Sequence, residues 1–133
     1  MFNWFKKIDS SNLENTDNIS ILTEEEVKLL LNEIKNDYNL VSNITSDKEK
    51  ATIFERIGLT YAKINKIDDA IEVLEKSMEC KLSMGDGYKK LLSLYNLKRA
   101  EAARNRDDAK IDYYMMKMDE MRNIAKKLTL SKR

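Results

Sequence analysis

The chain has 133 residues, enough for one domain with a modest core. With 35% charged and 42% hydrophobic residues, no proline, three glycines and a net charge of +1, it points to long helices with solvated outer faces. The absence of histidine excludes His-based catalysis and His metal ligation, and three glycines cannot supply a phosphate-cradling loop.

Residues 1–7 read MFNWFKK: Phe2, Trp4 and Phe5 stand beside Lys6 and Lys7. So short a segment anchors a membrane weakly, and docking of the aromatics onto a protein groove is the favoured expectation. Residues 8–20 are polar and read as a linker. Thr23, Glu24, Glu25 and Glu26 form a capping box that opens a helix, with acidic residues at its positive end. Val27, Leu30, Leu31, Ile34, Tyr38 and Val41 then recur at three- and four-residue steps. An amphipathic helix is expected within residues 21–45. A second capping box, Ser46 to Glu49, opens a helix that runs to about Ile64.

On that helix Phe54, Ile57, Gly58 and Tyr61 share one face, and Gly58 admits a close neighbour. Asn65 stands at the turn, where Asn tolerates a left-handed backbone. Asp68 and Asp69 start the next helix, from which Ala70, Leu74 and Ser77 face back. Capping explains this acidic pair, and Asp107-Asp108 later, better than acid–base chemistry or metal binding. Cys80 has neither a second cysteine nor an imidazole base and is read as a small apolar filler.

Residues 51–84 resemble a tetratricopeptide repeat, a 34-residue helix–turn–helix unit, through Phe54, Ile57, Gly58, Tyr61, Ala70, Leu74 and Ser77. The departures are Asn65, where the family usually has Gly, and Leu82, where it often has Pro. Residues 85–129 repeat the pattern more loosely: Tyr88, Leu91 and Tyr95 match, but Leu92 replaces Gly58. The turn signal Asn65…Asp68-Asp69-Ala70 recurs as Asn105…Asp107-Asp108-Ala109, five residues later than the template places it. A longer second hairpin that overhangs the first is expected.

The resemblance implies an all-α protein, an α-α superhelix of two hairpins with an N-terminal packing helix over the first. It also implies a concave groove lined by Thr52, Glu55, Leu59, Ala62, Lys63, Asp86, Lys89, Ser93 and Asn96. Some relatives clamp a C-terminal carboxylate with Lys and Asn where Glu55 and Leu59 stand here, which argues against that mode. The implied function is a non-enzymatic interaction module for a protein or peptide, with no cofactor and no small-molecule substrate.

The last helix, about residues 107–128, has two apolar sides on a 100° helical wheel. Ala109, Tyr113 and Met116 are expected to pack within the hairpin. Ile111, Tyr114, Met115, Met118, Met121, Ala125 and Leu128 form a broader stripe, and residues 115–121 hold four Met, at 115, 116, 118 and 121. Either a small bundle buries that stripe, or it is an interface, first of all for a homodimer.

Charge is divided: residues 1–50 carry six Lys against ten acids, and residues 51–133 eighteen Lys+Arg against thirteen. That split suits an acidic partner surface or end-to-end self-association, although a solvated helical surface explains it more simply. Lys98, Arg99, Arg104 and Arg106 form one basic stretch; Arg122, Lys126, Lys127, Lys132 and Arg133 form another. Without stronger net basicity or a recognisable module, they argue against nucleic acid. One cysteine and no secretory signal fit a cytoplasmic protein, and no apolar run approaches the roughly 20 residues of a membrane span.

Overall fold

The computed structural model describes residues 21–131, which form five helices and no strand. The expectations for residues 1–20, including the aromatic segment, lie outside the described residues. The helices are α1 (Glu24–Val41), α2 (Asp47–Lys63), α3 (Ile67–Cys80), α4 (Asp86–Arg104) and α5 (Asp108–Ser131). Helix α1 lies on α2, α2 pairs with α3, α3 and α2 both touch α4, and α4 pairs with α5.

Thr23 caps α1 reciprocally: its hydroxyl accepts the Glu26 amide at 3.1 Å, and Glu26 accepts the Thr23 amide at 2.9 Å. Ser46 caps α2 through the Glu49 amide alone, at 3.3 Å, so only half of the second expected box forms. The acidic pairs divide as well. Asp107 caps α5 by accepting the Lys110 amide at 3.2 Å. The start of α3 has no side-chain cap, and Asp68 instead pairs with Lys98 of α4 at 3.1 Å.

Two apolar clusters share α3. One joins Ile34 and Val41 of α1 to Ile53 and Ile57 of α2 and Val73 of α3. The other joins Ala70, Ile71, Leu74 and Met78 to Leu91, Leu94 and Tyr95 of α4 and Met121 of α5. Each fully buried Leu or Ile contributes about 1.5–3 kcal/mol relative to exposure. Helix α1 contributes a narrow seam because α2 is its one neighbour. Ile34 and Val41 are buried, Val27, Leu30 and Tyr38 half-buried, and Leu31 turns outward. Asp37 and Arg56 close its edge with two bonds of 2.8 and 3.0 Å.

The α2–α3 contact is the tightest. A Cβ at Gly58 would stand 2.5 Å from Leu74 Cγ, and the Ser77 hydroxyl donates to the Ala51 carbonyl at 2.7 Å. Small residues occupy the positions where the axes converge.

The two hairpin turns are copies. Asn65 has φ 63°, and the Lys66 amide bonds the Tyr61 carbonyl at 3.0 Å. Arg106 has φ 55°, and the Asp107 amide bonds the Ala102 carbonyl at 2.9 Å. The left-handed position is therefore Arg106, one residue beyond the Asn105 that sequence matching selects. Asn65 lies four residues after Tyr61, whereas Arg106 lies eleven after Tyr95. The slip is seven residues, about two helical turns, where five were expected. Counted from the turns, Ile111 takes the place of Ala70, and Ala109 does not.

That shift rotates the expected faces of α5. Ala109, Tyr113 and Met116, expected against the hairpin partner, are exposed. Tyr114, Met118 and Met121 turn inward onto the second cluster, and the Tyr88 hydroxyl donates to the Met121 carbonyl at 2.9 Å.

Candidate functional site

Helices α2 and α4 lie side by side, and an open groove of about 470 Å³ runs between them. Leu59, Ala62 and Lys63 line it from α2; Asp86, Lys89, Lys90 and Ser93 line it from α4. Six of the nine residues named from the sequence are thus brought together. Lys90 was missed, because the family register points at positions 86, 89, 93 and 96 and passes over it. Its basic neighbour Lys89 was the available signal.

Thr52, Glu55 and Asn96 do not line the groove, and each is bonded within the protein. The Thr52 hydroxyl donates to the Lys48 carbonyl at 3.1 Å, and the Asn96 side-chain oxygen accepts from Arg99 Nε at 3.0 Å. Glu55 reaches across to α4 and accepts the Gly87 amide at 2.8 Å. The residue preceding α4 is Gly85, which has no side chain to satisfy the free amides of the first turn. Glu55 supplies that acceptor and places a negative charge at the positive end of α4. A Cβ at Gly87 would lie 2.6 Å from this carboxylate, so Gly87 provides the room.

The groove is apolar at Leu59 and Ala62 and basic at its edges. Among the described residues, no carboxylate stands within 4 Å of Lys63, Lys89 or Lys90. Asp86 is the one acid on its lining. Elsewhere Lys98 bridges Asp68 and Glu101, and Arg122 pairs with Asp119 at 2.6 Å.

A second polar cluster fastens the hairpin. Tyr95 is 2% exposed and donates its hydroxyl to the Glu75 carboxylate. Lys117 of α5 stands 3.6 Å from the same carboxylate and 5.8 Å from the Tyr95 ring centre. Burial, and then the bond to Glu75, push the Tyr95 hydroxyl well above its usual pKa. Burial alone would lower Lys117, but Glu75 and Glu120 outweigh it and raise the ammonium. Tyr38 is also raised, by burial first and by Tyr61 next. The Tyr95–Glu75–Lys117 group ties α3, α4 and α5 together.

Of the broad stripe on α5, Met121 is buried; Ile111, Tyr114, Met118, Ala125 and Leu128 are half-buried; Met115 is 52% exposed. Cys80 is a half-buried free thiol. Among the described residues, no three His, Cys, Asp or Glu side chains gather as a metal site would require, and no helix is long and apolar enough to cross a membrane.

No protein-family model, curated protein or solved structure matches the chain.

Proposed function

We propose that the chain is a tetratricopeptide-like interaction module, a short α-α superhelix with no enzymatic activity, which holds a peptide or protein segment in the α2–α4 groove. The observation that carries this reading is the groove itself: an apolar floor at Leu59 and Ala62 with Lys63, Lys89 and Lys90 around it and no carboxylate pairing them. Such a lining favours a segment with an apolar side chain next to acidic ones, since the lysines supply charge and on-rate and the floor supplies burial. Glu55, committed to the start of α4, leaves the groove without a free acid at that point.

The test is capture from native cytosol and a peptide array on the purified protein, each compared with Lys63→Glu/Lys89→Glu/Lys90→Glu. The triple variant changes surface charge alone, because all three side chains are exposed. Loss of acidic-peptide binding by tenfold or more, with binding of the wild type weakening as salt rises, is the expected result. Undiminished binding by the triple variant would remove the groove from the function.

A further inference from the structure

The five helices stack in series, and the two end helices differ in how they are finished. Helix α1 covers the outer face of the first hairpin. Helix α5 packs on α4, with Lys117 reaching Glu75 of α3, and among the described residues no helix lies on its far side. Along the edge of that far side Ile111, Met115, Arg122, Ala125 and Thr129 fall in one line at steps of three, four and seven. Ile111 and Ala125 are half-buried, Met115 is 52% exposed, and Met118 beside them turns onto the second cluster. Helix α5 also outruns its partner. Tyr88, two residues into α4, meets Met121, and α5 continues ten residues further, to Ser131. An open notch of about 390 Å³ lined by Ala125, Lys126, Thr129 and Leu130 lies on this projecting part.

The charges beside the stripe are ordered along the helix. Asp108, Asp112 and Asp119 come first, and Arg122 and Lys126 follow; all five are exposed. A helix edge that carries acids first and bases after is complementary to itself when reversed. Asp119 and Arg122 already pair at 2.6 Å near the middle.

We propose that two copies of this chain associate through α5, antiparallel, about a two-fold axis close to Asp119 and Arg122. The axis sets Met115 of one copy opposite Ala125 of the other, where the notch receives it. Asp112 then meets Lys126 of the second copy. The two Asp119–Arg122 pairs close into a ring of alternating charge around the axis. The contact is isologous, so it closes at two copies and builds no filament. It leaves the α2–α4 groove of each copy outside the interface, so the dimer presents two grooves and would bind a divalent partner with avidity.

The experiment is sedimentation velocity from micromolar to near-millimolar concentration, with circular dichroism to check folding. Four proteins are compared: wild type, Met115→Glu, Asp112→Lys/Asp119→Lys, and Arg122→Glu/Lys126→Glu. Every altered side chain is exposed, so each variant keeps the fold. Wild type is expected to pass from monomer to dimer, and Met115→Glu to raise the dissociation constant at least tenfold. Each charge-reversed variant is expected to remain monomeric alone, and a mixture of the two is expected to dimerise, because their reversed charges complement each other. A wild type that stays monomeric throughout overturns the proposal. So does a dimer that survives Met115→Glu and both reversals, and so does a mixture of reversed variants that fails to pair.

Discussion

Gly58 is the most exacting position in the fold, and replacing it with alanine sets two known effects against each other. In an exposed helix the change stabilises by about 1 kcal/mol, because glycine loses more backbone entropy on folding. Here the added Cβ would lie 2.5 Å from Leu74 Cγ and 2.6 Å from Leu74 Cδ2, with the Ala70 carbonyl oxygen at 3.4 Å. Carbon atoms rest about 3.5–4.0 Å apart, so the overlap is about 1 Å against a side chain that is 1% exposed. The Cγ is a branch point close to the backbone, so Leu74 cannot swing clear as the tip of a long side chain would. Helices α2 and α3 must part, which also strains the Ser77–Ala51 bond at 2.7 Å. Overpacking of this kind costs about 1–3 kcal/mol. The net expectation for Gly58→Ala is a loss of about 1–2 kcal/mol, read from the urea midpoint at unchanged m-value. A double-mutant cycle isolates the cause. Leu74→Ala alone should cost about 2–5 kcal/mol. In the Gly58→Ala/Leu74→Ala protein the new methyl enters vacated space, so the losses should fall short of additive by at least about 1 kcal/mol. A Gly58→Ala protein as stable as wild type, or strictly additive losses, would refute the close-approach account.

Two further outcomes follow from the turn and from the buried tyrosine. Arg106→Gly should stabilise by about 1 kcal/mol in thermal or urea unfolding, because a residue with a Cβ at φ 55° carries a steric cost that glycine does not. Asn65→Gly, at φ 63°, should gain less, since asparagine tolerates this region. The Tyr95 hydroxyl is held above its usual pKa of 10.0 by burial and by Glu75. The folded state therefore keeps a proton that the unfolded chain loses above about pH 10. The stabilisation is complete below that pH and falls as pH rises towards the folded-state pKa, by about 1.4 kcal/mol per pH unit for each such group. Tyr95→Phe should flatten the alkaline limb of a stability–pH profile by about that slope; an unchanged limb would show that Tyr95 does not remain protonated in the fold.

Much of the architecture is legible in particular residues because it depends on local chemistry. Thr23 and Glu26 close on each other across three residues, and Asn65 adopts the left-handed backbone its side chain tolerates. Gly58, Leu74 and Ser77 sit at the close approach that their sizes suggest. The groove is legible to the extent that helical register sets it, which is why Leu59, Ala62, Lys63, Asp86, Lys89 and Ser93 converge.

What periodicity could not supply are bonds made across elements. Glu55 lies on the expected groove line, yet it is drawn to α4, because Gly85 leaves amides at that helix start without a side-chain acceptor. Asp68 looks like a cap and instead pairs with Lys98, thirty residues away. The faces of α5 were misassigned because matching Ala109 to Ala70 errs by two residues, about 200° of rotation, and only the backbone bonds of the turn reveal the error. The sequence alone determined that this chain is helical, where its hairpins turn and which small residues let them approach. Tertiary structure decided which polar side chains are occupied within the protein and which side of the last helix faces out, because those depend on groups brought together from distant parts of the chain.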